Sequence, residues 1–199
     1  MDACEFFLEQ YHTVRSIVNN LFLKGMSDDQ MRHQPKEGLN SMAWYLWHTA
    51  RWQDSADTLI IADHKQVLDQ RWMKRMNIPR PDIGTGMARE GCTALNETVE
   101  LAGLRDYRDE VGNNVCDVAR SVPSDELRKA VDTVQLQRML DDGTIANERA
   151  RWLPSFLEGK NKGWFLSMAV WHTAEHLLGG VVCVRRVSGV PVAVRVEGL

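Results

Sequence analysis

The sequence predicts an all-α protein, a four-helix bundle with short accessory helices and loops. Three observations predict it. Long stretches carry apolar residues at spacings of three and four, the repeat of one helix face. The prolines and most of the glycines fall between those stretches, where they punctuate the chain rather than break its helices. No region shows the alternation or turn spacing of a strand-rich domain. The 199 residues suit one domain over 1–199, large enough to bury a core without staples.

Residues 2–24 read as the first helix, with Phe6, Phe7, Tyr11, Val14, Ile17, Val18, Leu21 and Phe22 on one stripe and Gly25 as its stop. Ser27 to Gln30 has the form of a capping box and predicts a short helix. Pro35 and Gly38 close that loop. Asn40 is a good N-cap for a second long helix from Ser41 to about Ala62. Its first half is apolar nearly all round and its second half reads as amphipathic. "MNIPRPDIGTGM" is a loop by its prolines and glycines. A third long helix runs from about Leu101 to Arg120, with Leu104, Tyr107, Val111, Val115 and Val118 inward. Residues 122–160 read as short helices and turns. Gly163 opens the last long helix, to about Val187, where "SGVP" stops it and leaves an extended or loose tail.

Composition narrows the function. The net charge of −3 and the absence of a basic stripe argue against nucleic acid. Cys4, Cys92, Cys116 and Cys183 form no Cys-x-x-Cys; they fit small buried fillers with reduced thiols, hence a cytoplasmic protein. Asp2 and Glu5 stand where an export signal would carry Lys or Arg. Residues 164–184 are long enough to cross a bilayer, but His172, Glu175 and His176 sit at their middle. Ionisable groups are costly there, so a buried bundle helix is expected and no membrane partner.

The tetrapeptide "WHTA" occurs at 47–50 and again at 171–174, where it continues as "WHTAEH". His172 and His176 are one turn apart on one helix face, about 40° in projection. Two imidazoles so placed converge on one divalent ion. The residue after His172 is Thr173, so this is not the zinc-protease motif, which needs Glu there. Two ligands make a weak site, and His48, on the other apolar helix, is the natural third. A three-histidine set leaves coordination positions open, as catalytic sites do. Glu175 lies close enough for proton transfer. Trp44 and Trp52 flank His48 at four residues either side, and Met168 precedes His172 by four; together they suit an apolar pocket wall, with Gly180 leaving room. On spacing alone these histidines also fit hydrogen-bonded core residues, the tryptophans plain core, and Glu175 a solvated helix charge. His12, His33 and His64 have polar neighbours and read as surface residues.

With these motifs in hand, the chain resembles the DinB-like superfamily of metal-dependent four-helix bundles, which includes thiol-dependent transferases. "MSDDQMRHQP" and "GLNSMAWYLWHTARWQD" look like its first loop and second helix, "DIGTGM" and "LRDYRDEV" like its middle section, and "GWFLSMAVWHTAEHLLGG" like its last helix. The resemblance implies a divalent metal, zinc or nickel foremost, on His48, His172 and His176. It implies either transfer of a low-molecular-weight thiol or hydrolysis, acting on a small-molecule substrate, and a homodimer. The alternative is a non-enzymatic metal- or small-molecule-binding bundle in stress or detoxification.

Overall fold

The computed structural model describes residues 1–35, 39–146 and 148–180. Among them the protein is helical with no strand; one isolated bridge joins Ala130 to Asn161. Gly38, the last helix beyond 180, its stop, the tail and Cys183 lie outside the described residues.

Caps written in the sequence set the helix starts. Helix α1 (Ala3–Ile17) begins in a reciprocal box in which Asp2 accepts from the Glu5 amide and Glu5 from the Asp2 amide. Ser27 and Gln30 do the same for α2 (Asp28–Arg32). Helix α3 (Met42–Gln53) starts one residue later than the sequence suggested. Ser41, not Asn40, is the cap and accepts from the Trp44 amide at 3.0 Å. Two short helices the sequence reading missed follow, α4 (Gln70–Met76) and α5 (Arg89–Thr98). Helix α6 (Leu101–Ser121) is the third long element. The 122–160 stretch holds α7 (Thr133–Asp141) and α8 (Leu153–Leu157). Asn161 caps α9 (Lys162–Thr173). Three of the long helices end in a wider π-helical segment: Val18–Leu23 after α1, Asp54–Ile61 after α3 and Ala174–Gly179 after α9. Such segments recur at functional sites, and here one boundary falls between His172 and His176.

Helix α3 and its extension run through the centre. They pack against α6 and α9, and every residue from 42 to 61 is buried. The amphipathic second half expected from the sequence is therefore corrected: Arg51, Gln53, Asp54, Ser55, Asp57 and Thr58 are interior. Buried polar groups require partners, and most of these have them. Arg51 donates to Asp54 (2.9 Å), the Tyr107 hydroxyl (2.9 Å), Gln66 (2.7 Å) and, through two nitrogens, the Pro81 carbonyl (2.7 and 3.1 Å). Asp54 also accepts from the Tyr107 hydroxyl and the Val67 and Leu68 amides. Gln53 joins Tyr11 on α1 to Thr173 on α9.

Asp57 is the exception. Both its carboxylate oxygens are buried without a hydrogen-bond partner. Burial, then the charge of Asp54, pushes its pKa well above the usual carboxylate range. A folded pKa raised above the unfolded value stabilises the fold at acid pH and loses that contribution as pH rises from about 4 through the folded value. The slope is about 1.4 kcal/mol per pH unit. Asp57→Asn removes the titration. Its stability relative to wild type is expected to rise by at least about 1 kcal/mol between pH 4 and pH 7, measured by urea unfolding. A pH-independent difference contradicts the assignment.

Candidate metal centre

Helix α3 carries His48 at its middle; α9 carries His172 in its last turn, and His176 follows in the π-helical extension. The three imidazoles meet. Their ring centroids are 5.1 Å (His48–His172), 5.0 Å (His48–His176) and 4.4 Å (His172–His176) apart. One ring nitrogen from each lies within 4.8 Å of the others. Among the described residues no Cys, Asp or Glu joins this cluster. Small side-chain rotations bring such nitrogens to the about 3.4 Å separation of donors sharing a tetrahedral ion at 2.0–2.1 Å.

An aromatic ring braces each imidazole. Trp44 stacks on His48 (4.5 Å, 14° between planes), Trp52 leans on His172 (5.3 Å), and Tyr45 stacks on His176 (5.9 Å). Gly180 does leave room, but for Tyr45: a Cβ there would come within 2.6 Å of its ring. The glycine thus serves the brace of His176 rather than the pocket.

His48 is also held from behind. Its Nδ1 lies 2.5 Å from the Ile83 carbonyl. Donation from Nδ1–H fixes the tautomer and leaves Nε2 with its lone pair, the arrangement that orients metal-ligating histidines. Ile83 sits in the loop between α4 and α5, residues 77–88, and Arg51 anchors that loop at Pro81. Asp82 accepts from the Gly84 amide at 2.7 Å, and the Ile83 amide donates to Thr144 at 3.0 Å. Gly84 has φ +75° and lies so close to the Trp47 ring that no side chain fits. Sequence reasoning missed Ile83, because a backbone acceptor leaves no residue-type signature.

The imidazoles are neutral at physiological pH. Burial lowers His48 to about 4, against a partial lift from the Ile83 carbonyl. Burial, with repulsion from His48 and His176, lowers His172 to about 2. Burial also lowers His176, against the attraction of Glu175. Neutral imidazole is the ligating form. In addition, Nδ1 of His172 is buried with no hydrogen-bond partner, a cost that binding at that ring offsets. The donor set therefore fits a divalent first-row ion and leaves coordination positions open.

These shifts make the metal-free fold acid-sensitive. A folded pKa below the unfolded 6.5 means the unfolded chain gains protons first, so stability falls as pH drops below about 6.5. From pH 7 to pH 5 the loss is about 2 kcal/mol for each of His48 and His172. In metal-free protein, His172→Ala is expected to gain about that amount relative to wild type over this interval. Urea unfolding at the two pH values measures it, and an unchanged difference contradicts it.

The cluster forms part of the wall of a cleft of about 390 Å³, within the range of small-molecule sites. Trp44, Trp52, Met168 and Glu175 line it, together with Thr85, Gly86, Trp152, Leu153, Phe156 and Trp171. Trp152 and Phe156 are four apart on or beside α8, within the stretch where sequence reading was coarsest. His12, His33 and His64 are exposed, as expected. Cys92 and Cys116 are buried free thiols and Cys4 is partly buried. No helix among the described residues is long and apolar enough to cross a membrane.

A profile of the DinB superfamily matches residues 10–178, and the chain belongs to that superfamily. No curated protein sequence matches. Among solved structures, the chain is similar to the crystal structure of the conserved protein of locus from Enterococcus faecalis. The two share 18% identity over 94% of this chain and 96% of that one, with a TM-score of 0.67, a likeness of fold.

Proposed function

We propose that this member of the DinB superfamily is a metal-dependent enzyme acting on a small molecule, with a divalent ion, zinc or nickel, on His48, His172 and His176. One observation carries the reading: three neutral imidazole nitrogens from two helices converge on the wall of an aromatic cleft. When bound, such an ion supplies Lewis acidity and lowers the pKa of a water or thiol. The chain's residues do the rest. Ile83 and the aromatic braces hold the imidazoles in the ligating orientation. Trp44, Trp52 and Met168 exclude water and receive the apolar part of the substrate. Glu175 carries a proton between the nucleophile and solvent. The nucleophile is a low-molecular-weight thiol in a transferase, or water in a hydrolase. The free cysteines suit a reducing compartment such as the cytoplasm.

The test is a turnover screen of zinc- and nickel-loaded protein, with several low-molecular-weight thiols against small electrophiles, and with small esters and amides. Metal-dependent turnover that falls at least about tenfold in Glu175→Gln, the lower end of general acid–base effects, supports the reading. Full metal occupancy with no turnover in either screen moves the protein to the non-enzymatic alternative.

A further inference from the structure

The cleft has two regions of different character. His48, Trp44, Trp52 and Met168 are each at most 6% exposed. Trp152, Phe156 and Trp171 stand 56, 46 and 45% exposed, and Glu175 is exposed too. Exposed aromatics gathered in one place mark a surface that binds something. Trp171 and Glu175 are four residues apart along one helix, so ring and carboxylate share a face.

Charge then discriminates among ligands. None of the described lining side chains is Lys or Arg, and Glu175 is their one carboxylate. Its charge attracts the neighbouring His176, but it forms no salt bridge to a Lys or Arg among the described residues. Phe156 already bears an ammonium: Lys160, not a lining residue, sits 5.4 Å from its centroid and 5.3 Å from that of Trp164. Trp152 and Trp171 hold no such cation among the described residues. Two indole faces and a carboxylate without a salt bridge among the described residues make the mouth attractive to a cation. Among the described lining side chains no Lys or Arg faces an anion.

We propose that the cleft takes a small organic cation, with an ammonium head against Trp171, Trp152 and Glu175. An apolar body then joins that head to a donor group facing the histidines. The inner end of this picture rests on the metal reading above. The charge preference at the mouth does not, because it uses no metal ligand. A dication at the histidines would repel the head, which also places it at the mouth.

The test uses three probes of similar shape: (3-hydroxyphenyl)trimethylammonium, the neutral 3-tert-butylphenol and the anionic 3-hydroxybenzenesulfonate. Each is titrated by calorimetry into metal-free and zinc-loaded full-length protein, with bound zinc measured on the same samples. The ammonium is expected to bind about tenfold tighter than the neutral isostere in both forms, the size of a cation–π contact with a carboxylate beside it. Glu175→Gln and Trp171→Leu are each expected to cut that preference severalfold, while zinc content stays unchanged. Equal or tighter binding of 3-tert-butylphenol, tightest binding of the sulfonate, or no binding of any probe overturns the proposal. Failure to take up zinc, with the ammonium preference intact in metal-free protein, overturns only the metal reading.

Discussion

His172→Ala is expected to lower zinc or nickel affinity by more than about a hundredfold and to abolish metal-dependent turnover. Loss of a group that merely orients a ligand costs about 10- to 100-fold, and this substitution removes one of three donors. No other His, Cys, Asp or Glu among the described residues completes the cluster, so nothing replaces it. Competition against a fluorescent zinc chelator measures the change, with exposed His33→Ala as the control. Affinity unchanged from wild type would mean that the ion sits elsewhere.

Arg51→Met is the most damaging single change expected outside the histidines. The side chain is 1% exposed, and its guanidinium bonds Asp54, Tyr107, Gln66 and the Pro81 carbonyl. Breaking a buried pair from one side leaves the other charge unpaired, at a cost of about 3–5 kcal/mol. Urea unfolding is expected to show that loss. Arg51→Met combined with Asp54→Leu is expected to recover part of it, because the stranded carboxylate is gone. A second effect follows from position. The anchored Pro81 lies two residues before Ile83, so its release loosens the carbonyl that orients His48. In the double variant, metal affinity is expected to stay about tenfold or more below wild type even where stability returns. Full recovery of both would separate Arg51 from the metal centre.

The chemistry of the centre was more legible in the sequence than its supports. His172 and His176 were readable as a pair because a helix repeat carries side chains at i and i+4 to one face. His48 was readable because its helix is apolar around it. Long-range partners were not readable. Gln53, Asp54 and Thr58 looked like a solvent face, but they are polar groups of an interior helix. Their partners Tyr107, Val67, Leu68, Asn114 and Thr173 come from elsewhere in the chain. The N-cap shows a related ambiguity. Asn40 and Ser41 are both competent caps, and Ser41 holds the position while its hydroxyl also bonds Asn96 on α5. Helices α4 and α5 are short and mostly polar, and their few buried residues, Met76, Cys92, Leu95 and Asn96, make no long periodic stripe. The aromatic mouth was hidden for the same reason, since Trp152 and Phe156 fall in a stretch without long periodicity.

In the proposed centre three imidazoles, those of His48, His172 and His176, hold one ion. X-ray absorption on the zinc-loaded protein tests it most directly, because it counts and types the ligands. The expected result is three imidazole nitrogens at about 2.0–2.1 Å, no sulfur, and one or two further light-atom ligands. A sulfur ligand, one imidazole or fewer, or no specific zinc uptake would contradict it.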